Sequence, residues 1–179
     1  MITDRSAVLD TCVLINLLAT GRATEIVRVI APARMVCSAV AEESLYLRSL
    51  EAQGQPEHAD LQTLIAAGVF TPCQIEGVAE EDLYVTYALE LDDGEAMSLA
   101  IAQSRNLVLV TDERKARRIA RENVPHLPII STAEIIRTWA EGKEKRDVVA
   151  VVRSILARAR FRPADSDPLA LWWNEMLDG

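Results

Sequence analysis

Hydrophobic and polar positions alternate along the chain in a pattern that predicts a parallel α/β fold. Short apolar runs occupy residues 6–9, 35–37 and 107–110, and two further runs occupy 69–73 and 128–130. Such runs are typical of strands that are buried on both faces. Between them, apolar residues recur every three or four positions, as they do along one side of a helix. We therefore expect a three-layer α/β/α arrangement around a central parallel sheet.

Two helices are expected after the second strand. Ser38 occupies the position of a helix N-cap, and Val40, Leu45 and Leu50 would line the inner side of the helix that follows. A second helix is expected over residues 56–67, between a proline and a glycine.

The character of the chain changes after Gly142. Residues 143–162 are basic on balance and carry an apolar stripe at helical spacing, and a linker with two prolines covers 163–168. We therefore divide the chain into a main α/β domain, 1–142, and a helical C-terminal extension, 143–179.

Composition narrows the possible partners and compartments. The chain has 179 residues, of which half are hydrophobic, and a formal net charge of −8. This charge argues against a protein that coats nucleic acid by bulk attraction, although it is compatible with an enzyme whose metal site needs clustered acids. The three cysteines lack CxxC spacing, and the two histidines are too scattered for a zinc site. No apolar run reaches about 18 residues and no signal-peptide pattern is present, so we expect a cytoplasmic protein that does not span a membrane.

Acidic residues lie near a predicted strand end or helix start at four distant points of the chain, namely Asp10, Glu42 or Glu43, Glu95 and Asp112. Ligands bind at the carboxyl ends of the strands in open α/β sheets, so these acids are expected to converge at one edge. Carboxylates without histidine or cysteine favour hard ions, which indicates Mg²⁺ or Mn²⁺. Such an ion leaves room for phosphate oxygens and lowers the pKa of a bound water, as hydrolysis of a phosphodiester requires.

Each of these acids, taken alone, has a simpler explanation. Asp10 and Asp112 suit turn formation at a strand end as well as chemistry. Glu95 suits the positive end of a helix dipole, and Glu43 suits an exposed helix face. Only the joint pattern of four carboxylates favours a metal site.

Four motifs resemble those of the PIN-domain family. Residues 10–16 (Asp-Thr-Cys-Val-Leu-Ile-Asn) are similar to its N-terminal motif, and residues 40–43 (Val-Ala-Glu-Glu) to its second acidic motif, in which we favour Glu43. Residues 91–96 resemble the Gly-Glu-Ala motif of one subgroup, in which glutamate replaces the commoner aspartate. Residues 109–117 resemble the Thr-Asp motif and the arginine-rich helix after it.

The resemblance implies a Mg²⁺- or Mn²⁺-dependent endoribonuclease, often the VapC-like toxin of a type II toxin–antitoxin pair. It also implies an RNA substrate, a protein antitoxin, a homodimer, and a sheet whose first strand is central. The similarity covers about residues 5–140, and compact members of the family end near this point. Residues 143–179 are therefore expected to form an extension that the compact members lack.

We assign the site residues in three groups. The expected catalytic residues and metal ligands are Asp10, Glu43, Glu95 and Asp112. The residues expected to orient them are Thr11, Asn16 and Thr111, and those expected to contact RNA phosphates are Arg114, Lys115 and Arg118. The threonines serve equally well as caps, and the basic residues equally well as the solvated face of an amphipathic helix.

Two other function classes compete with a nuclease. A receiver-like phosphoacceptor domain also gathers acids around Mg²⁺ at strand ends, but it would need an aspartate and a lysine where Cys73 and Ser131 stand. A non-cleaving PIN-fold module that binds RNA or regulates a partner would not need all four acids, which this chain retains.

The basic residues of the C-terminal extension allow two interpretations. Arg158, Arg160 or Arg162 could lie against the acidic site as a built-in inhibitor, because opposite charges attract. Ordinary packing of an amphipathic helix against the main domain is the simpler interpretation.

Overall fold

Five parallel strands form one sheet, and the strand nearest the N-terminus lies at its centre. The computed structural model describes residues 1–43, 45–51 and 54–179. The strands are β1 (Ala7–Leu9), β2 (Arg34–Cys37), β3 (Tyr46–Leu47), β4 (Glu57–His58), β5 (Thr71–Cys73), β6 (Val108–Val110) and β7 (Ile129–Ile130). Their order in the sheet is β5-β2-β1-β6-β7, while β3 and β4 form a separate antiparallel pair. The predicted central position of the first strand is confirmed.

Helices connect the strands and flank the sheet. They are α1 (Thr11–Ala19), α2 (Ala23–Ile26), α3 (Ser38–Glu42), α4 (Leu61–Ala66), α5 (Gly77–Ala88), α6 (Asp93–Ser104), α7 (Arg114–Asn123), α8 (Thr132–Trp139), α9 (Lys145–Ala159) and α10 (Ala170–Asp178), with a 3₁₀ turn at Val27–Val29. Helix α6 packs across β1, β2 and β6, and α1 contacts α8 and α9. The predicted three-layer α/β/α fold with a helical C-terminal part is confirmed. Within the described ranges, none of the helices is long and apolar enough to cross a bilayer.

The register of the sheet determines which residues meet at its carboxyl edge. All three residues of β1 are fully buried, as expected for the middle strand of a parallel sheet. Leu9 lies opposite Val110, and Val110 in turn lies opposite Ile130. The residues that follow these three strands are therefore neighbours, although about 20 to 120 positions separate them along the chain.

The helix predicted from Ser38 through Leu45 to Leu50 is wrong beyond its first turns. Helix α3 begins at Ser38, with Cys37 as the N-cap residue, and ends at Glu42. The chain then enters β3, where pairing with β4 satisfies backbone groups that a helix would have paired internally. Leu45 is buried and Leu50 is exposed, so the apolar residues do not form one helical stripe.

Residues 56–67 form a short strand and a short helix instead of the single helix that was expected. The strand is β4, and α4 begins only at Leu61. The carboxylate of Asp60 accepts a hydrogen bond of 2.9 Å from the N–H of Thr63 and so caps the first turn. The position of this cap, and not the proline at 56, determines where the helix begins.

Helix α9 packs on the main body through the apolar stripe that its sequence predicts. The buried side chains of the stripe include Val148, Val151, Val152 and Ile155. The hydroxyl of Ser154 donates a hydrogen bond of 2.7 Å to the carbonyl of Ala19 at the end of α1. Beyond α9, Phe161 packs edge-on against Trp173 of α10, with ring centroids 5.4 Å apart. The extension is thus part of the packed structure, and its division from residues 1–142 stays a prediction.

Candidate active site

Asp10 stands at the carboxyl end of the central strand and is held by three hydrogen bonds. It is the N-cap residue of α1, and its Oδ1 accepts the N–H of Thr11 at 2.8 Å. Its Oδ2 accepts the hydroxyl of Thr111 at 2.8 Å and the thiol of Cys12 at 3.2 Å. Burial raises the pKa of Asp10, and these hydrogen bonds oppose the rise. The carboxylate of Asp10 is therefore buried, and its hydrogen bonds fix its orientation.

Asp112 follows β6 and is held from two other elements. Its Oδ1 accepts the N–H of Thr132 at 2.9 Å, and its Oδ2 accepts the hydroxyl of the same threonine at 2.5 Å. The side-chain amide of Asn16 on α1 donates to Oδ2 at 3.0 Å. Burial raises the pKa of Asp112 against the effect of these bonds and of the positive charge of Arg117. The start of α8 and one face of α1 thus position this second carboxylate.

Cys12 lies between these two aspartates. Its thiol donates to Asp10, and its sulfur accepts the N–H of Asp112 at 3.4 Å. Burial, followed by the negative charges of Asp10 and Asp112, raises the pKa of Cys12 far above its usual range. A thiol in this state is a hydrogen-bond donor and not a nucleophile.

Glu43 reaches the same edge because a glycine in α6 leaves room for it. Its Oε1 lies 3.0 Å from the position that a Cβ atom on Gly94 would occupy, and Val40 Cγ2 lies 3.1 Å from that position. A side chain at residue 94 would therefore press on the carboxylate. The contact distinguishes Glu43 from its neighbour Glu42, which ends α3.

The first turn of α6 contributes Glu95 and Asp92. Asp92 is the N-cap residue, and its Oδ1 accepts the N–H of Glu95 at 2.9 Å. Burial, followed by the charges of Asp92, Asp10 and Glu113, raises the pKa of Glu95 to about 7. Burial, and then the charges of Asp92 and Asp10, also raise the pKa of Glu43. Carboxylates from three separate elements thus repel one another at one edge of the sheet.

The structure brings the four predicted acids to this edge without closing them around a common point. Within the described part of the chain, no three side chains of His, Cys, Asp or Glu form a ready group of metal ligands. The donors are nevertheless all carboxylate oxygens, and Mg²⁺ commonly takes only one or two of these and keeps several waters. The hydroxyl of Thr11 faces Glu43 and opposes the rise in the pKa of that carboxyl. An acidic edge whose donors are carboxylate oxygens therefore fits a hydrated divalent cation.

A cleft of about 990 Å³ leads away from Asp112 between α7 and the segment that follows α9. We call it the arginine cleft after the basic side chains that line it, which are Arg114, Arg117, Arg121, Arg160 and Arg162. Its inner end is lined by Cys12, Asn16 and Asp112. The cleft therefore reaches the acidic edge at Asp112, whereas Asp10, Glu43 and Glu95 are not among its lining residues.

Of the three predicted phosphate-contacting residues, the structure places only Arg114 in this cleft. Lys115 donates to the carbonyl of Glu90, and Arg118 pairs with the carboxylates of Glu90 and Glu122 at 3.3 and 2.8 Å. Both therefore lie on the side of α7 that faces the end of α5.

Sequence reasoning left Asp92 and Thr132 out of the site and included Arg117 only as part of the basic helix face 114–121. Arg117 lines the cleft and donates to the carbonyl of Thr111 at 3.3 Å, and its position three residues after Arg114 places both on one side of the helix. Asp92 has its signal in the sequence Asp-Asp-Gly-Glu, which suits a capped helix start. Thr132 carries no local signal, because only the pairing of β6 with β7 brings it to Asp112.

Comparison with known proteins agrees with this architecture. A family model described as a PIN domain matches residues 6–166, a span that includes α9 and the segment beyond it. Neither the curated proteins nor the solved structures gave a match. Since the family match covers most of the chain, the protein belongs to the PIN-domain family, whose members are generally nucleases.

Proposed function

We propose that this protein is a Mg²⁺- or Mn²⁺-dependent endoribonuclease that hydrolyses RNA phosphodiester bonds. The observation that carries the proposal is the buried carboxylate of Asp10 at the end of the central strand, with acids from three other elements beside it. Burial raises the pKa values of these acids, and neighbouring negative charges add to the rise at Asp10, Glu43 and Glu95. A cation at this edge would relieve the repulsion between these charges.

The residues that would hold the cation are Asp10, Glu43, Glu95 and Asp112, some of them through water. When bound, such an ion supplies positive charge to the phosphate oxygens and lowers the pKa of a water for in-line attack. The remaining work falls to the chain itself. Thr111 and the N–H of Thr11 orient Asp10, while Asn16 and Thr132 orient Asp112.

The basic residues of α7 that line the arginine cleft would bind the phosphates of the substrate beside the scissile bond. Arg114 and Arg117 lie nearest in sequence to Asp112, and both line the cleft. A guanidinium group suits this task because it contacts phosphate oxygens through two parallel hydrogen bonds.

We further propose that the protein acts in the cytoplasm as the toxin of a toxin–antitoxin pair and that it forms a homodimer. The three cysteines of the chain are free, as suits a reducing compartment. Val78, Val85 and Leu89 are exposed along one side of α5 and supply an apolar surface for a second copy. The toxin role and the protein antitoxin are carried by the motif at residues 91–96 and its resemblance to VapC-like toxins.

A cleavage assay tests the catalytic proposal. Single-stranded RNA of mixed sequence is incubated with Mn²⁺ and wild-type protein, Asp10→Asn, or the control Asp82→Asn, which removes an exposed acid on α5. We expect cleavage by the wild type and the control, and none by Asp10→Asn. Equal cleavage by Asp10→Asn and the wild type would refute the proposal.

One observation favours a second candidate, a PIN-fold module that binds RNA without cutting it. The described carboxylates do not close around a common point. If this candidate is right, the wild type, Asp10→Asn and Asp82→Asn would all bind RNA, and none of them would cleave it at any Mn²⁺ or Mg²⁺ concentration.

A further inference from the structure

The arginine cleft has two walls that come from distant parts of the chain. One wall is α7, whose residues Arg114, Arg117 and Arg121 are spaced to lie on one face of the helix. The other wall is the segment 159–168, which follows α9 and contributes Arg160 and Arg162. The predicted nuclease domain, 1–142, therefore supplies only one side of this cleft.

The five arginines of the cleft are not neutralised by ion pairs. Within the described ranges, none of the five has a side-chain nitrogen within 4.0 Å of a carboxylate oxygen in an ion pair. By contrast, Arg158 pairs with Glu57 and also donates to the carbonyl of Ala19. In a protein of net charge −8, this concentration of unpaired positive charge attracts an anionic ligand.

Four acidic residues also line the cleft, in two groups. Asp112 and Glu113 belong to its inner end, next to the acidic edge. Asp165 and Asp167 lie in the linker after Arg162, and the carboxylate of Asp167 accepts the N–H of Leu169 at 2.8 Å. One of the two linker acids is thus engaged with the backbone.

Arg160 keeps a long side chain where the backbone favours glycine. It ends α9 with φ +58°, in the left-handed region. This conformation is unfavourable for residues other than glycine, asparagine and aspartate. An observed backbone outlier of this kind is a reason to look for a function of the side chain.

The segment is held in place by packing from the C-terminal helix. Phe161 contacts the fully buried Trp173 of α10 edge-on, and Pro163 is buried. Arg160 and Arg162, on either side of Phe161, are exposed. The apolar contacts therefore fix the backbone while the two guanidinium groups remain available in the cleft.

We propose that the arginine cleft is the path of a single RNA strand and that Arg160 and Arg162 bind its phosphates opposite α7. This inference rests on the proposed ribonuclease function and adds a substrate-binding wall from the C-terminal extension. An RNA strand is favoured over an acidic peptide because Asp112, one of the proposed metal ligands, lines the inner end of the cleft. The two arginines thus serve the substrate and do not block the site as an inhibitor.

Binding of RNA as a function of salt tests the inference. Fluorescence anisotropy of a short labelled RNA is measured in EDTA, so that no cleavage occurs. The metal-free acidic edge is the same in every variant and therefore repels the RNA equally. The variant is Arg160→Asn with Arg162→Gln, because asparagine tolerates the left-handed backbone at 160 and keeps the fold intact. Loss of two phosphate contacts should make the plot of the logarithm of the association constant against the logarithm of the salt concentration less steep by about 1.4. This corresponds to about 25-fold weaker binding of the RNA near 0.1 M salt.

A double variant that removes two positive charges elsewhere is the matched control. Arg28→Gln with Arg146→Gln changes the net charge equally at two exposed positions outside the cleft. We expect this control to keep most of the wild-type affinity and salt slope. Thermal unfolding of both double variants verifies that each is folded.

The outcomes separate this inference from the proposed function. If wild-type protein cleaves RNA with Mn²⁺ but the cleft variant binds RNA like the control, the inference alone is overturned. If the cleft variant loses binding while the wild type never cleaves, the cleft stands and the ribonuclease proposal fails. If a polyglutamate peptide binds through Arg160 and RNA does not bind, the cleft belongs to an acidic protein partner and the inference is overturned.

Discussion

The hydroxyl of Thr111 donates a hydrogen bond of 2.8 Å to Oδ2 of Asp10, and this bond joins the carboxyl ends of β6 and β1. Both side chains are almost fully buried, with exposed fractions of 1% and 3%. A hydrogen bond to an ionised group is stronger than a neutral one, and more so away from water. Thr111 is therefore the residue that fixes the orientation of the central carboxylate.

Replacing Thr111 with valine tests this role at nearly constant volume. We expect Thr111→Val to weaken Mn²⁺ binding and RNA cleavage by about 10- to 100-fold, the usual cost of losing a group that orients a metal ligand. Thr111→Ser keeps the hydroxyl and should stay close to wild type. Equal Mn²⁺ affinity in the valine and serine variants, measured by titration calorimetry, would remove Thr111 from the account.

The raised pKa of Glu95 predicts how stability depends on pH without metal. Between its usual value of 4.5 and about 7, the folded protein retains a proton that the unfolded chain has released. The free energy of unfolding should therefore fall as pH rises through this range and not recover above it. Thermal melts in EDTA check this, and Mn²⁺ should reverse the fall.

Glu95→Gln should remove a large part of this pH dependence, while Glu81→Gln, at an exposed position of α5, should leave it unchanged. By the same reasoning, Asp10→Asn should stabilise the metal-free protein at neutral pH, since burial also raises the pKa of Asp10. If the free energy of unfolding of the wild type stays constant from pH 4.5 to 7, the pKa values of these carboxylates are not raised in the folded protein.

Gly94→Ala tests whether Glu43 needs the space above α6. The new Cβ would lie 3.0 Å from Glu43 Oε1 and 3.1 Å from Val40 Cγ2, so the carboxylate must move. Alanine is more favourable than glycine within a helix by about 1 kcal/mol, which helps the variant remain folded. We expect weaker Mn²⁺ binding, similar to that of Glu43→Gln. A Gly94→Ala protein with wild-type Mn²⁺ affinity would place Glu43 outside the metal site.

A partly buried ion pair far from the acidic edge serves as a structural contrast. Arg105 donates to both oxygens of Glu80, at 2.7 and 2.8 Å, and Glu80 is 4% exposed. Glu80→Gln leaves Arg105 with its contacts to Glu76 and to the carbonyl of Gln74, and it should lower the free energy of unfolding by about 1 to 2 kcal/mol. Cleavage by the folded variant should be unchanged, as measured below its melting temperature. The hydrogen bond from Arg105 also holds the pKa of Glu80 below 4.5, so this stabilisation is lost as pH falls below that value.

The sheet and its acidic edge could be predicted because their signals are local. A run such as Val-Leu-Val at β6 is apolar at every position and rich in valine, which is typical of a strand buried on both faces. Once the strands are parallel, Asp10 and Asp112 must lie at the same edge. The prediction at residues 38–50 failed because a few leucines fit helical spacing and strand alternation equally well, and the backbone pairing of β3 with β4 decided the outcome.

The basic surface could not be predicted in the same way. Five basic residues crowd one helix, and which side of α7 faces the cleft depends on how this helix packs against α6. Lys115 and Arg118 therefore turn to Glu90, while Arg117 and Arg121 line the cleft. The second wall lies more than 30 positions further along the chain, and no periodicity places it opposite α7.

Calorimetric titration of the protein with Mn²⁺ tests the central claim most directly, because it measures the cation site without RNA. We expect wild-type protein and the control Asp82→Asn to bind Mn²⁺ with equal affinity. Asp10→Asn and Asp112→Asn, both shown to be folded by thermal melts, should each bind Mn²⁺ at least about tenfold more weakly. Mn²⁺ affinity that is unchanged in both Asp10→Asn and Asp112→Asn would contradict the central claim.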